Sequence, residues 1–165
     1  MSTSHPAGRA LAARLLRALA PLALLLLATA PAPKERHLLY VASPGTRNYT
    51  EYGGVGVLVF DIDDGYRLVR RIPTWTTPDG KSPENVKGIA ASARTGRVYV
   101  TSLTRVIAID AVSGATIWER PYDGGADRLA ISPDGSTLYV PQFEGPLWHV
   151  VDAATGDVRG TIETR

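Results

Sequence analysis

A segment of about 40 residues is written twice in this chain and a third time in a more divergent form. Each copy joins a strand motif centred on tyrosine to a downstream motif that begins with Asp and ends with Gly. The clear copies are Val98–Val100 with Asp110–Gly114 and Leu138–Val140 with Asp152–Gly156, and the divergent copy is Leu39–Val41 with Asp61–Gly65. The repeats are rich in β-branched and aromatic residues and carry no helical period, which predicts short antiparallel strands joined by turns.

A repeat of about 40–50 residues with this composition predicts the blades of a β-propeller. The predicted fold class is therefore all-β, with about three four-stranded antiparallel blades in an incomplete ring after an N-terminal signal segment. Within a partial propeller at 31–165, we place blade 1 at about 37–72, blade 2 at about 87–120 and blade 3 at about 127–163.

The number of predicted blades falls short of a closed ring, which usually needs about 4–8. Blade 1 also lacks its first strand in this interpretation. We therefore expect an N-terminal fragment of a longer propeller, and the alternative is a short chain that oligomerises into a ring. Exposed blade edges favour self-association in either case.

Residues 1–30 have the pattern of a secretory signal peptide, because Arg9, Arg14 and Arg17 precede an apolar run at 18–30. That run is shorter than the roughly 20 residues needed to span a bilayer, so no integral membrane span is predicted. A buried core helix is the alternative for the same run. The favoured localisation is periplasmic or secreted, and the absence of cysteine excludes a disulfide framework.

The charge balance of the rest of the chain argues against nucleic acid as a partner. The overall charge of +2 includes the three arginines of the leader, and without them 15 basic residues face 16 acidic ones. A nearly neutral domain lacks the basic surface on which nucleic-acid binding depends.

Several of these motifs are similar to those of a known family. The turn Ser132–Gly135, with Leu138–Val140 and Val150–Gly156, resembles the repeats of exported YVTN-type propellers, the YncE-like proteins. The segment Val106–Trp118 also resembles the repeat of quinoprotein (PQQ) propellers. The resemblance covers Leu39–Glu163 and implies a fold rather than an activity, since propeller families include binding proteins as well as dehydrogenase subunits.

The candidate binding residues lie on two long connections that are predicted to share one face of the propeller. Strand direction alternates, so the short hairpins fall on one face and the connections 43–54 and 73–86 fall on the other. Long loops on a rigid scaffold are common binding sites. The predicted ligand-binding side chains are Arg47, Tyr49, Tyr52, Trp75 and Lys81. They suit a small polar ligand or a protein partner, and the alternative is a pair of solvated loops without a ligand.

Other side chains have simpler interpretations as structural residues. The acidic turn Asp61–Gly65 could suit calcium, but a hairpin is favoured because the other repeats carry a single Asp at the aligned turn. His149 occupies an apolar inward position and is predicted to be a buried histidine rather than a metal ligand. Trp118 and Trp148 are predicted to pack, Trp118 between blades.

No motif in the sequence identifies an enzyme, a catalytic residue or a cofactor. Nucleophilic triads, phosphate loops and zinc signatures are all absent. The favoured hypothesis is an exported propeller that acts as a ligand- or protein-binding scaffold. The alternative is a fragment or subunit of a periplasmic quinoprotein-like oxidoreductase or of a lactonase-like propeller enzyme.

Overall fold

The computed structural model describes residues 35–43, 56–75 and 84–164. The predicted signal segment at 1–30 lies outside the described residues, as do Arg47, Tyr49, Tyr52 and Lys81. The chain divides into two compact units, and the account below concerns the second, Arg36–Arg165. Over the described ranges, no helix has the length and apolar character that crossing a membrane requires.

The described residues form three antiparallel sheets, which we call blades 1 to 3 in chain order. Blade 1 has three strands: β1 (Leu38–Ser43), β2 (Gly56–Asp61) and β3 (Arg67–Ile72). Blade 2 has four: β4 (Gly88–Ser92), β5 (Arg97–Thr101), β6 (Arg105–Asp110) and β7 (Thr116–Pro121). Blade 3 has four: β8 (Ala130–Ile131), β9 (Thr137–Pro141), β10 (Leu147–Asp152) and β11 (Val158–Glu163). This arrangement confirms the predicted all-β fold of propeller blades.

The first strand of blade 3 is short, since β8 covers only two residues. Pro141, at the end of the neighbouring strand, has no N–H to donate to a longer ladder. Its carbonyl accepts a hydrogen bond from the Asp127 amide instead, at 3.2 Å.

Blade 2 is buried on both faces because neighbouring side chains along its strands point in opposite directions. In β5, Val98 and Val100 pack towards blade 1, whereas Tyr99 packs towards blade 3. In β6, Ile107 packs towards blade 1 and Ala108 packs towards blade 3. The sequences of these strands are therefore continuous apolar runs and do not alternate between apolar and polar residues.

Two apolar clusters join the blades. The cluster between blades 1 and 2 consists of Val57, Val59, Ile72, Val86, Val98, Val100, Ile107 and Ile109. The cluster between blades 2 and 3 consists of Tyr99, Val106, Ala108, Trp118, Tyr122, Ala126, Leu138, Val140, Val151 and Ala153. The second cluster includes Trp118, which is 7% exposed, so the prediction that this tryptophan packs between blades is confirmed.

A hydrogen-bonded contact that we call the carbonyl join also links adjacent blades. The Ala153 carbonyl of blade 3 accepts from Tyr99 Oη at 3.1 Å, from Trp118 Nε1 at 3.2 Å and from Arg97 Nη1 at 3.1 Å. All three donors belong to blade 2. At the join before it, the Ala111 carbonyl of blade 2 accepts from Tyr40 Oη of blade 1 at 3.4 Å and from Arg70 Nη2. The repeated tyrosine thus bonds the residue that follows the repeated aspartate of the next blade.

The repeated aspartates cap their own turns. Asp110 Oδ1 accepts from the amides of Val112 and Ser113, at 3.0 and 2.6 Å. Asp152 Oδ1 accepts from the two equivalent amides of blade 3, and Asp61 Oδ1 from the Asp63 amide. These bonds satisfy backbone donors within the hairpins.

Candidate binding face

The alternation of strand direction separates the connections into two faces. One face, which we call the turn face, carries the short turns at 61–66, 92–96, 110–115, 132–136 and 152–157. The opposite face, which we call the long-loop face, carries the described segments 73–75, 84–87, 102–104, 122–129 and 142–146. At this same face β1 ends, β2 begins, β3 ends and β4 begins, so the ends of both long connections meet the blades on one side.

An ion-pair network fixes the end of the second long connection to blade 2. Glu84 Oε2 accepts from Arg105 Nε at 2.9 Å and also from Arg105 Nη2. Its other oxygen, Oε1, accepts from Thr104 Oγ1 at 2.7 Å and from Ser102 Oγ. Arg105 Nη1 in turn donates to Glu119 on β7. A carboxylate that accepts four hydrogen bonds is held in one position and anchors the loop.

This environment keeps Glu84 ionised. Burial alone would raise its pKa, but the hydrogen bonds from Arg105, Ser102 and Thr104 outweigh burial and lower the pKa below the usual value of 4.5. Burial likewise opposes the charge of Arg105, and its bonds to Glu84 and Glu119 raise its pKa nevertheless. A carboxylate with a lowered pKa and occupied lone pairs is a poor proton acceptor, so the network positions the loop rather than catalysing a reaction.

The exchange Glu84→Gln should lower the free energy of unfolding by about 1–2 kcal/mol at pH 7, because Arg105 loses its charged partner. The pKa of Glu84 is lower in the folded chain than in the unfolded one. Its stabilising contribution is therefore present above the usual glutamate pKa and is lost as the pH falls through the lowered folded value. Urea unfolding should show the wild type and the variant converging as the pH is lowered towards 3.

Glu144→Gln provides the control, because Glu144 is exposed on the same face. Its effect should stay within about 0.5 kcal/mol at every pH. A stability difference for Glu84→Gln that is as large at pH 3 as at pH 7 would contradict the electrostatic role of the network.

Trp75 is the one predicted binding residue that the described ranges include. The Arg105 guanidinium lies over its indole ring, with 5.5 Å between Cζ and the ring centroid. The indole Nε1 is buried and, among the described residues, has no hydrogen-bond acceptor. The neighbouring Thr74 Oγ1 is in the same situation. Both atoms are buried polar groups that the described residues leave unpaired, and such groups are costly.

Blade 3 contributes a second polar group to the long-loop face. His149 is buried, as predicted, and its Nε2 lies 2.9 Å from the Asp123 carbonyl. Its ring packs beside Tyr122 with 5.5 Å between the ring centroids, and Nδ1 has no partner among the described residues. Lys87 lies over the Phe143 ring at 5.3 Å and links the start of blade 2 to blade 3.

The acidic turn of blade 1 is held by neighbouring Arg and His side chains. Asp61 pairs with Arg36 at 2.9 Å, Asp63 with His37 Nδ1 at 2.9 Å, and Asp64 with Arg67 at 2.6 Å. The hydrogen bond from Arg36 lowers the pKa of Asp61 more than any other interaction does. Over the described ranges, no three His, Asp or Glu side chains converge on a possible metal position. The contacts favour the hairpin interpretation of this turn.

A groove of about 330 Å³ lies between blades 1 and 2 at the turn face. Its lining includes Arg36, Tyr40 and Arg97, which no motif in the sequence groups together. Arg36 is already paired with Asp61, and Arg97 donates to the Ala153 carbonyl. Because these cations are engaged within the fold, the groove is a weaker candidate for ligand binding than the long-loop face.

Solved structures similar to this chain show the β-propeller fold. Sqt1 of Saccharomyces cerevisiae matches with a TM-score of 0.56 and 10% identity over 76% of this chain and 36% of its own. A eukaryotic initiation factor matches with a TM-score of 0.55 and 16% identity over 81% and 31% of the two chains. Kuenenia stuttgartiensis hydrazine synthase matches with a TM-score of 0.52 and 18% identity over 66% and 29%.

The chain spans about a third of the length of these structures. No protein-family model and no curated protein matches it. At identities of 10–18%, the similarity concerns the fold alone.

Proposed function

We propose that this chain is an exported β-propeller scaffold that binds a small polar ligand or a protein partner on its long-loop face. The observation that carries the proposal is the anchoring of the end of the 73–86 connection by Glu84 and Arg105, whose guanidinium also lies over the ring of Trp75. The hairpins of the turn face, by contrast, use their polar groups on their own backbone. A rigid base beneath long polar loops is the usual arrangement of a binding site.

The residues proposed to contact the ligand combine cations and aromatic rings. Arg47 and Lys81 would pair with anionic groups, and Tyr49, Tyr52 and Trp75 would stack on a ring or a planar group. Export rests on the basic and apolar pattern of residues 1–30, and kinship with the YncE-like propellers rests on the motifs in blades 2 and 3. Both belong to the proposal.

A thermal-shift experiment with defined probes tests the ligand. The panel contains glucose, glucuronate, succinate, citrate and glutamate, each at about 10 mM. A ligand present at 100 times its Kd stabilises the folded chain by about 2.7 kcal/mol, so at least one probe should raise Tm by several degrees.

Trp75→Ala and Lys81→Ala should abolish the shift. Arg94→Ala, on an exposed residue of the turn face, should keep it. A panel without any shift, or a shift that survives both binding-face substitutions, would contradict small-ligand binding at this face.

A protein partner calls for a different measurement. A photo-crosslinking amino acid placed at Tyr49 should capture one defined protein in the cell envelope, whereas the same amino acid placed at Arg94 should not. Equal capture from the two positions would contradict a partner site on the long-loop face.

A further inference from the structure

Blade 3 carries a tyrosine, Tyr139, at the position from which the tyrosines of blades 1 and 2 form the carbonyl join. Tyr40 and Tyr99 each donate a hydrogen bond to the following blade. Tyr139 is the equivalent residue of blade 3 and lies on strand β9. Its hydroxyl has no hydrogen-bond partner among the described residues. Blade 3 therefore presents an unused donor on the face that points away from blade 2.

The matching acceptor lies at the other end of the molecule, on blade 1. In each blade, the amide after the repeated aspartate donates to the carbonyl three residues before the tyrosine. The three distances agree closely: 2.9 Å from Ile62 to His37, 2.8 Å from Ala111 to Gly96, and 3.0 Å from Ala153 to Ser136. The Ile62 carbonyl thus occupies the place of the Ala111 and Ala153 carbonyls, and no described donor bonds to it.

The sheet faces that carry the donor and the acceptor hold exposed apolar side chains. On the outer face of blade 3, Val150 pairs with Tyr139, and Ile162, which is 46% exposed, pairs with Trp148. The outer face of blade 1 carries Leu39 and Leu68, which are 41% and 40% exposed. Inside the molecule, the equivalent sheet faces contribute to the two buried apolar clusters. Two apolar sheet faces that each hold one half of a repeated contact are complementary to one another.

We propose that the outer face of blade 3 packs on the outer face of blade 1 of a second copy, with Tyr139 donating to the Ile62 carbonyl. A second copy is the occupant that the contacts favour, because one chain carries both halves of the join at opposite ends. Such a contact is heterologous, and it forms a ring only if the rotation closes. The described residues of two copies would supply six blades, which lies within the range of about 4–8 for closed propellers.

The ring would use the same contact geometry at all of its joins. The blades of both copies would then follow one another in the same direction around the ring. The long-loop faces of both copies would lie on one side of it. The inference does not depend on the proposed ligand, because none of its residues belongs to the long-loop face.

Light scattering coupled to gel filtration of the full chain tests the proposal. The expected mass is twice 17.7 kDa at micromolar concentration. Tyr139→Phe removes one hydrogen bond at each contact and should weaken the pair about fivefold per contact, or about 25-fold for the two. Leu39→Asp places a charge in the apolar contact and should weaken the pair by about 100-fold or more.

The control is Val112→Asp, which places the same charge on a side chain of the turn face that is 84% exposed. It should leave the mass unchanged. Circular dichroism of each variant separates a lost contact from a lost fold.

Mixing two variants distinguishes this contact from one between like faces. Leu39→Asp alone and Tyr139→Asp alone should both give single chains. An equimolar mixture should regain pairing, because it restores one intact contact between the unaltered blade 3 of one copy and the unaltered blade 1 of the other. A monomeric wild type, masses that rise beyond two chains, or a mixture that stays monomeric would each overturn the proposal.

Discussion

Replacing Trp118 by alanine will lower the free energy of unfolding by about 3–5 kcal/mol. Three losses combine at this position. The indole ring is 7% exposed, packs at 6.0 Å from the Tyr99 ring, and its Nε1 donates to the Ala153 carbonyl. Removing the side chain leaves a cavity between blades 2 and 3 that these rigid sheets cannot close. Equilibrium unfolding in urea measures the effect.

The neighbouring substitution Ile117→Ala is the matched control. Ile117 lies on the same strand, is 41% exposed and belongs to neither apolar cluster. Its truncation should cost less than about 1 kcal/mol. Similar losses for the two variants would mean that the junction between blades 2 and 3 does not have the packing described above.

Gly125→Ala is expected to destabilise the chain by about 3 kcal/mol. Gly125 has a φ of +75°, and a Cβ atom there would lie 2.2 Å from the Leu103 carbonyl oxygen. That oxygen also accepts from the Ala126 amide at 3.1 Å, so it cannot move away without breaking a bond that holds the connection between blades 2 and 3. The substitution therefore adds a backbone clash to the strain of the left-handed conformation.

Gly65→Ala separates the two contributions. Gly65 has a φ of +59°, and a Cβ atom there would meet no other atom within 4 Å. This variant should lose only about 1 kcal/mol, since it carries the conformational strain without the clash. Equal thermal stabilities for the two variants would show that the close approach of Gly125 to Leu103 is unimportant.

The order of the strands could be predicted from the sequence because the repeat marks each blade in two places. The tyrosine motif places a central strand, and the aspartate-to-glycine motif places a hairpin whose capping bonds are local. The length of the first strand of blade 3 could not be predicted in this way, because it depends on Pro141, which lies on a different strand.

The contacts on the long-loop face were harder to predict from the sequence. Glu84 lies within the predicted connection 73–86, but its pairing with Arg105 was missed, since 21 residues separate them and neither belongs to a motif. The carbonyl joins were missed for another reason. Their acceptors are main-chain carbonyls. Every residue has one, so the sequence does not indicate which carbonyl accepts the hydrogen bond.

The use of a main-chain acceptor has an evolutionary consequence. The residue that receives the tyrosine is alanine at both observed joins, the equivalent position in blade 1 is Ile62, and the alanine side chains take no part in the bond. Substitutions of the accepting residue therefore have little effect on this hydrogen bond. A gene that duplicates, loses or exchanges such units keeps compatible neighbours as long as the donor tyrosine survives.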